Sequence, residues 1–143
     1  MTASVRVLLV DDAVDFLEPV SFWLQSKGYQ VATANNGQEA LDEIKRQVPN
    51  IVFLDINMPG MNGLEALKRI RAQYGNLPVI MVTAAYQNEQ YFAEANKLGI
   101  SGFFPKSNSL PDLTRMIEMT LRVHQRMKTT DGEQPTSSGS CNA

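Results

Sequence analysis

The stretch IVFLDINMPGMNG at residues 51–63 carries the strongest structural signal in the sequence. Its first four residues are apolar, and a continuous apolar run is typical of a strand that is buried on both faces of a sheet. The run ends in a carboxylate, Asp55, and then enters a turn rich in proline and glycine. Functional groups of α/β proteins collect at the carboxyl ends of central strands, so Asp55 is a candidate site residue. Taken alone, Asp55 could equally cap the following turn.

Apolar runs of this kind alternate with amphipathic segments along the chain. This alternation predicts an α/β protein with a parallel five-stranded sheet and helices on both faces. Pro19 falls inside the first predicted helix, where the loss of one backbone hydrogen bond is expected to bend it. Strands are predicted at residues 5–10, 29–34, 51–54, 78–82 and 100–104, and helices at 14–27, 38–47, 64–74, 89–98 and from 109 onward.

Composition favours one globular domain in a reducing compartment. The chain has 143 residues, 43% of them hydrophobic, and a net charge of −2, which lacks the basic excess of a nucleic-acid-binding protein. The only cysteine, Cys141, cannot form an internal disulfide. Without a signal-like or membrane-spanning apolar stretch, we expect a cytoplasmic protein with no membrane contact. Residues 1–128 are predicted to form the domain, and the polar residues 129–143 a disordered tail.

Polar side chains follow four of the predicted strands. Asp11 and Asp12 follow the first strand, Asp55 ends the third, Thr83 ends the fourth and Lys106 follows the fifth. Each has an ordinary explanation: an aspartate can cap a helix, a threonine can be a strand residue, and most lysines are solvated. Since the carboxyl ends of parallel strands meet at one edge of the sheet, we expect all five side chains to lie together there.

The chemistry of this set is specific. Clustered carboxylates repel one another, and Mg²⁺ relieves such repulsion while keeping several water ligands. A carboxylate beside Mg²⁺ can attack phosphorus and form an aspartyl phosphate. The oxygens of the transferring phosphoryl group then need a cation and a hydroxyl donor, which Lys106 and Thr83 can supply. The single histidine, His124, is expected on the last helix as a surface residue.

The order and spacing of these motifs resemble those of the receiver domain of bacterial two-component response regulators. The resemblance extends over about residues 5–127 and implies a flavodoxin-like fold with strand order 2-1-3-4-5. It rests on LLVDD at 8–12, GYQV at 28–31, NGQEAL at 36–41, DINMPGMNG at 55–63, VTA at 82–84 and GFFPK at 102–106.

The resemblance also implies a role for each acidic residue. Asp55 would accept a phosphoryl group from a histidine kinase or a histidine phosphotransfer protein. Asp12, Asp55 and the backbone carbonyl of Asn57 would bind Mg²⁺ directly, and Asp11 would act largely through a metal-bound water. The only catalysis expected is self-phosphorylation and self-dephosphorylation at Asp55.

The remaining site residues would carry the signal outward. By the same resemblance, Thr83 and Lys106 would hold the phosphoryl oxygens, and Phe103 would occupy the aromatic switch position. The face formed by the fourth helix, fifth strand and fifth helix would then bind a downstream protein, with self-association left open. The family pattern places proline after the lysine, whereas Ser107 follows Lys106 here and Pro105 precedes it.

Other interpretations compete with a stand-alone, chemotaxis-type regulator. The chain could be the receiver part of a longer regulator with an output domain, or a degenerate receiver that serves as a binding scaffold. A phosphatase with an aspartate nucleophile usually has a second carboxylate two residues later, where this chain has Asn57. A flavin- or nucleotide-binding protein is disfavoured because the turn after the first strand is too acidic to hold phosphates.

Overall fold

The computed structural model describes residues 5–55, 62–83 and 89–132. Within these ranges five strands alternate with five helices, as the sequence predicts. The strands are β1 (Arg6–Val10), β2 (Gln30–Ala34), β3 (Ile51–Asp55), β4 (Val79–Thr83) and β5 (Gly102–Pro105). The helices are α1 (Val14–Ser26), α2 (Gly37–Arg46), α3 (Gly63–Gln73), α4 (Glu89–Leu98) and α5 (Leu110–Gly132).

The five strands form one parallel sheet in the order β2-β1-β3-β4-β5, which confirms the predicted topology. All five residues of β3 are buried, because this strand lies in the centre of the sheet with helices on both faces. In register, Val10 lies beside Leu54, Asp55 beside Val82, and Thr83 beside Pro105. The carboxyl ends of the strands therefore meet at one edge.

Alternation along β3 divides the core into two layers. Ile51 and Phe53 pack with α1 and α5, while Val52 and Leu54 pack with α2, α3 and α4. Successive side chains of a strand point to opposite faces, so a strand with apolar residues at every position has to be covered twice. The helices supply fully buried residues to each layer; examples are Leu24, Leu113 and Ile117 on the first face and Ile44, Leu67 and Ile70 on the second.

Side-chain caps and glycines set several helix boundaries. Asn36 and Asn62 cap α2 and α3 by accepting the backbone N–H groups of Glu39 and Glu65 at 2.8 and 2.9 Å. Gly28 follows the end of α1 with a φ of 95°, a left-handed conformation that disfavours residues with a side chain.

The last helix extends into the polar residues near the C-terminal end of the described chain. α5 continues to Gly132, four residues beyond 128, where composition placed the end of the domain. Thr129, Thr130 and Asp131 are weak helix formers but none of them blocks a helix, so their polar composition does not end α5. Residues 133–143, where most of the predicted tail falls, lie outside the described residues. None of the described helices is long and apolar enough to cross a bilayer.

Candidate functional site

Three carboxylates lie together at the carboxyl edge of the sheet. One oxygen each from Asp11, Asp12 and Asp55 can be chosen so that all lie within 4.8 Å of one another. Asp11 and Asp55 are buried, with 1% and 4% of their surface exposed, whereas Asp12 is exposed. The sequence predicted that these residues share one edge of the sheet, but it did not predict that Asp11 is buried and Asp12 exposed.

The start of α1 holds Asp11 in place. Its backbone N–H donates to the carbonyl of Ala34 at 3.0 Å, and its Oδ1 accepts the N–H of Ala13 at 2.9 Å. The second bond closes a local turn of the kind that aspartate favours ahead of a helix. The buried carboxylate is thereby anchored to β2 on one side and to α1 on the other, and its Oδ2 remains directed to the site.

Lys106 brings a cation to this cluster. Its Nζ lies 2.7 Å from Asp11 Oδ2 and 3.9 Å from Asp55 Oδ2. The approach to Asp11 is a short ion pair, whereas the distance to Asp55 Oδ2 is longer than a hydrogen bond. Among the residues that the structure describes, one ammonium faces three carboxylates, so the edge retains an excess of negative charge that favours binding of a further cation.

Backbone pairing fixes the position of Lys106. Its N–H donates to the carbonyl of Thr83 at 2.8 Å, which extends the ladder between β4 and β5 by one residue. Phe104, two residues earlier, lies in the core layer that α1 and α5 cover, here called the α1–α5 layer. Phe53 and Leu9 lie in the same layer and likewise precede Asp55 and Asp11 by two residues. The alternation of the strands thus sends all three charged side chains towards α1 and α5.

Thr83 and Phe103 belong to the opposite face. Thr83 is buried at the end of β4. It follows by two residues Met81, which lies in the core layer that α2, α3 and α4 cover, here called the α2–α4 layer. Phe103 is half-buried against the same layer, and its ring meets that of Phe92 on α4 edge-on, with centroids 4.5 Å apart. The predicted hydroxyl donor and the predicted switch residue therefore share the side of the sheet that α4 covers.

One predicted site residue lies outside the described residues, and one residue near the site was not predicted. Asn57, whose carbonyl was expected to bind metal, lies outside the described residues. Phe16, which the sequence did not assign to the site, has its ring centroid 4.8 Å from Lys106 Nζ. The sequence does place Phe16 in the first turn of α1, five residues after Asp11. This position predicts a contact with Lys106 only if the strand alternation is also used to direct Lys106 to the same face of the sheet.

The donor set fits Mg²⁺. Mg²⁺ holds oxygen ligands at about 2.1 Å in an octahedron, so opposite ligands lie about 4.2 Å apart. The three aspartate oxygens, all within 4.8 Å of one another, approach this spacing and are the hard ligands that the ion prefers. Asp12 is exposed, so the cluster is also open to the water ligands that Mg²⁺ retains.

Comparison with known proteins assigns the family. The family described as "Response regulator receiver domain" matches residues 7–118. The chain belongs to this family. Among solved structures, this receiver domain is similar to chemotaxis protein CheY4 of Vibrio cholerae, with 32% identity and a TM-score of 0.77 over 82% of this chain and 99% of that one. It is also similar to a CheY-like receiver domain protein of Methanospirillum hungatei JF-1, with 26% identity, a TM-score of 0.83 and coverage of 87% and 99%.

The receiver domain spans only part of its curated relatives. It is 35% identical over 128 residues to "Putative two-component response regulator ARR21" of Arabidopsis thaliana, covering 88% of this chain and 20% of that protein. Across the curated relatives compared, it spans from 20% to 50% of the length of the whole protein. The family assignment therefore applies to the receiver domain, and the activities of those longer proteins are not carried over with it.

Proposed function

We propose that Asp55 accepts a phosphoryl group from a histidine kinase or histidine phosphotransfer protein, with Mg²⁺ held by the neighbouring carboxylates. The observation that carries this proposal is the placement of Asp55: a buried carboxylate, grouped with two others and 3.9 Å from an ammonium group. A carboxylate that only capped a turn would not need this surrounding charge.

The transfer requires little of the protein beyond positioning. A carboxylate oxygen of Asp55 forms a bond to phosphorus while the bond from phosphorus to the donor breaks. The leaving group keeps the electron pair, as a histidine ring that takes up a proton or as acetate from acetyl phosphate. The attacking carboxylate oxygen has no proton to lose in this step, so the transfer needs no general base. Lys106 and the Thr83 hydroxyl then hold the phosphoryl oxygens.

The three carboxylates would hold the metal in different ways. Asp12 and Asp55, with the backbone carbonyl of Asn57, would bind Mg²⁺ directly. Asp11 would act through a metal-bound water, which suits a side chain that already accepts the Ala13 N–H and faces Lys106. When bound, Mg²⁺ would offset the repulsion among the carboxylates and the charge on the phosphoryl oxygens.

Signal output would pass through the face of α4, β5 and α5. Movement of Thr83 towards a phosphoryl group on Asp55 would open space on the side of the sheet where Phe103 packs. Phe103 would then leave its edge-on contact with Phe92 and turn inward. The altered face would bind a downstream protein or a second copy of the chain, in a cytoplasmic signalling module whose receiver domain spans residues 1–128.

The proposal is tested by incubating the protein with acetyl phosphate and Mg²⁺ and following the intact mass. We expect one added phosphoryl group. No group should be added when EDTA removes Mg²⁺ before acetyl phosphate is supplied. Asp55→Asn keeps the shape of the side chain and should prevent the addition. Addition of phosphate to the Asp55→Asn variant at the unsubstituted rate, or no addition to the unsubstituted protein, would overturn the proposal.

A further inference from the structure

We propose that Phe16 is a positioning residue for Lys106, holding the ammonium group over the acidic cluster through the face of its ring. This inference rests on the proposed function, because the position of Lys106 affects phosphoryl transfer only if Asp55 is the acceptor. The ring centroid lies 4.8 Å from Nζ, within the distance of about 6 Å at which a cation is attracted by an aromatic ring.

Lys106 needs such a contact because its carboxylate partners are unevenly placed. Its Nζ is 2.7 Å from Asp11 but 3.9 Å from Asp55, the proposed acceptor. The 3.9 Å between Nζ and Asp55 Oδ2 is longer than a hydrogen bond, so the proposed acceptor attracts the ammonium without fixing its direction. A ring on another side of the ammonium limits where the long side chain can point and lowers the entropy lost upon binding phosphate.

The position of Phe16 is itself well determined. It lies in the first turn of α1, where its N–H donates to the carbonyl of Ala13 at 3.0 Å. The Ala13 N–H in turn donates to Asp11, so one short segment carries both the carboxylate and the ring that flank the ammonium. Phe16 is half-buried against the α1–α5 layer, while Lys106 has 20% of its side chain exposed. A partly desolvated ammonium interacts with a ring more strongly than a fully hydrated one.

The alternative is that Phe16 only fills the edge of the core. A purely apolar role depends on volume, whereas a cation–ring contact depends on the negative charge of the ring face. Fluorination of the ring separates the two, because it withdraws that charge while nearly preserving shape. We would therefore introduce 4-fluoro- and 3,4,5-trifluorophenylalanine at position 16, together with Phe16→Tyr and Phe16→Leu. Phe22→Leu is the matched control, since Phe22 lies on the same helix with 76% of its surface exposed.

The first measurement is the NMR spectrum of the Lys106 side chain without any phosphodonor. The ε-methylene protons should be shifted upfield by the ring current, in the unsubstituted protein and in Phe16→Tyr. The shift should disappear in Phe16→Leu and persist in Phe22→Leu. An unchanged ε-methylene shift in a folded Phe16→Leu protein would overturn the positioning role.

The second measurement is the rate of phosphorylation by acetyl phosphate. We expect the rate to fall stepwise with fluorination, to about one third in the trifluoro protein, which corresponds to a modest cation–ring interaction. An equal rate across the fluorinated series would overturn the proposal. A failure of the unsubstituted protein to accept phosphate would instead overturn the proposed function, and the ring-current shift would still decide whether Phe16 holds the ammonium.

Discussion

Asp11 gives its two carboxylate oxygens different tasks. Oδ1 accepts the Ala13 N–H and holds the start of α1, while Oδ2 faces the Lys106 ammonium at 2.7 Å. A cation bound at the cluster would compete with Lys106 for the charge of this side chain. The lysine is therefore both a resting counter-ion for the carboxylates and, in the proposed mechanism, a ligand of the phosphoryl group.

Lys106→Ala should preserve Mg²⁺ binding and impair phosphorylation. Because the competing ammonium is removed, we expect Mg²⁺ affinity to increase by about threefold or more. The phosphorylated variant should also fail to show the spectral changes of the unsubstituted protein on the α4, β5 and α5 face. Both effects can be measured by NMR, through a Mg²⁺ titration and through spectra after addition of phosphodonor.

Lys45→Ala is the control for this prediction. It removes the same charge from the last turn of α2, which ends at the opposite edge of the sheet. Its Mg²⁺ affinity should stay close to that of the unsubstituted protein. Weaker Mg²⁺ binding in Lys106→Ala than in Lys45→Ala would contradict the competition between the ammonium and the metal.

Tyr29 should make stability depend on pH in the alkaline range. Burial, and secondarily the charge of Glu118, raises the pKa of its phenol above the ordinary value near 10. Between the ordinary and the raised pKa the folded state binds more protons, so the free energy of unfolding falls as pH rises above about 10. Urea unfolding at several pH values should show a shallower fall in Tyr29→Phe.

Glu118→Gln tests the cause assigned to this shift. Because burial is the larger cause, the variant should retain most of the pH dependence that Tyr29→Phe loses. Complete loss of the dependence in Glu118→Gln would show that charge, rather than burial, raises the pKa of Tyr29.

At the scale of elements, short polar caps fix where the helices around the site begin. Asn62 accepts the N–H of Glu65 at the start of α3, the helix that follows β3 and Asp55 along the chain. Asn62→Ala should lower the free energy of unfolding by about 1 kcal/mol, because one helix N–H group loses its side-chain acceptor. Urea denaturation would measure this loss.

Asn96→Ala is the matched control for the cap. Asn96 is an exposed residue inside α4, where alanine is the better helix former, so the same substitution should leave stability unchanged or slightly increased. A loss in Asn96→Ala as large as that in Asn62→Ala would contradict the specific role of the cap.

α1 shows what an element tolerates when its packing is sufficient. The helix runs from Val14 to Ser26 through Pro19, which cannot donate a backbone hydrogen bond. Leu17, Val20 and Leu24 are buried on one side of the helix, and Pro19 itself is exposed. Burial of this stripe outweighs the missing bond, and the same packing keeps Phe16 at the edge of the sheet.

At the scale of the molecule, the sequence predicted the elements well because the signals were local. Continuous apolar strands, four-residue spacing in the helices and turn residues are read from short windows. The strand order came from the family resemblance instead, since periodicity does not specify which strands pair. Composition does not set the end of α5, because the helix continues through the polar residues 129–132.

The candidate site was predictable to the level of residue type and strand end. Five polar residues were expected at one edge, and the structure brings Asp11, Asp12, Asp55 and Lys106 together there and places Thr83 at the end of the neighbouring β4. Distances between side chains were beyond reach of the sequence, because they depend on the tertiary packing of α1 against β5. The contact of Phe16 with Lys106 and the unequal burial of Asp11 and Asp12 both arise at this level.

The most direct test of the central claim is to locate the phosphoryl group on the chain. After incubation with acetyl phosphate and Mg²⁺, borohydride reduces an aspartyl phosphate to homoserine, which peptide mass spectrometry can place at a single residue. The account predicts homoserine at position 55 and unmodified aspartate at positions 11 and 12. Homoserine at position 11 or 12 with Asp55 unmodified, or homoserine at none of the three, would contradict it.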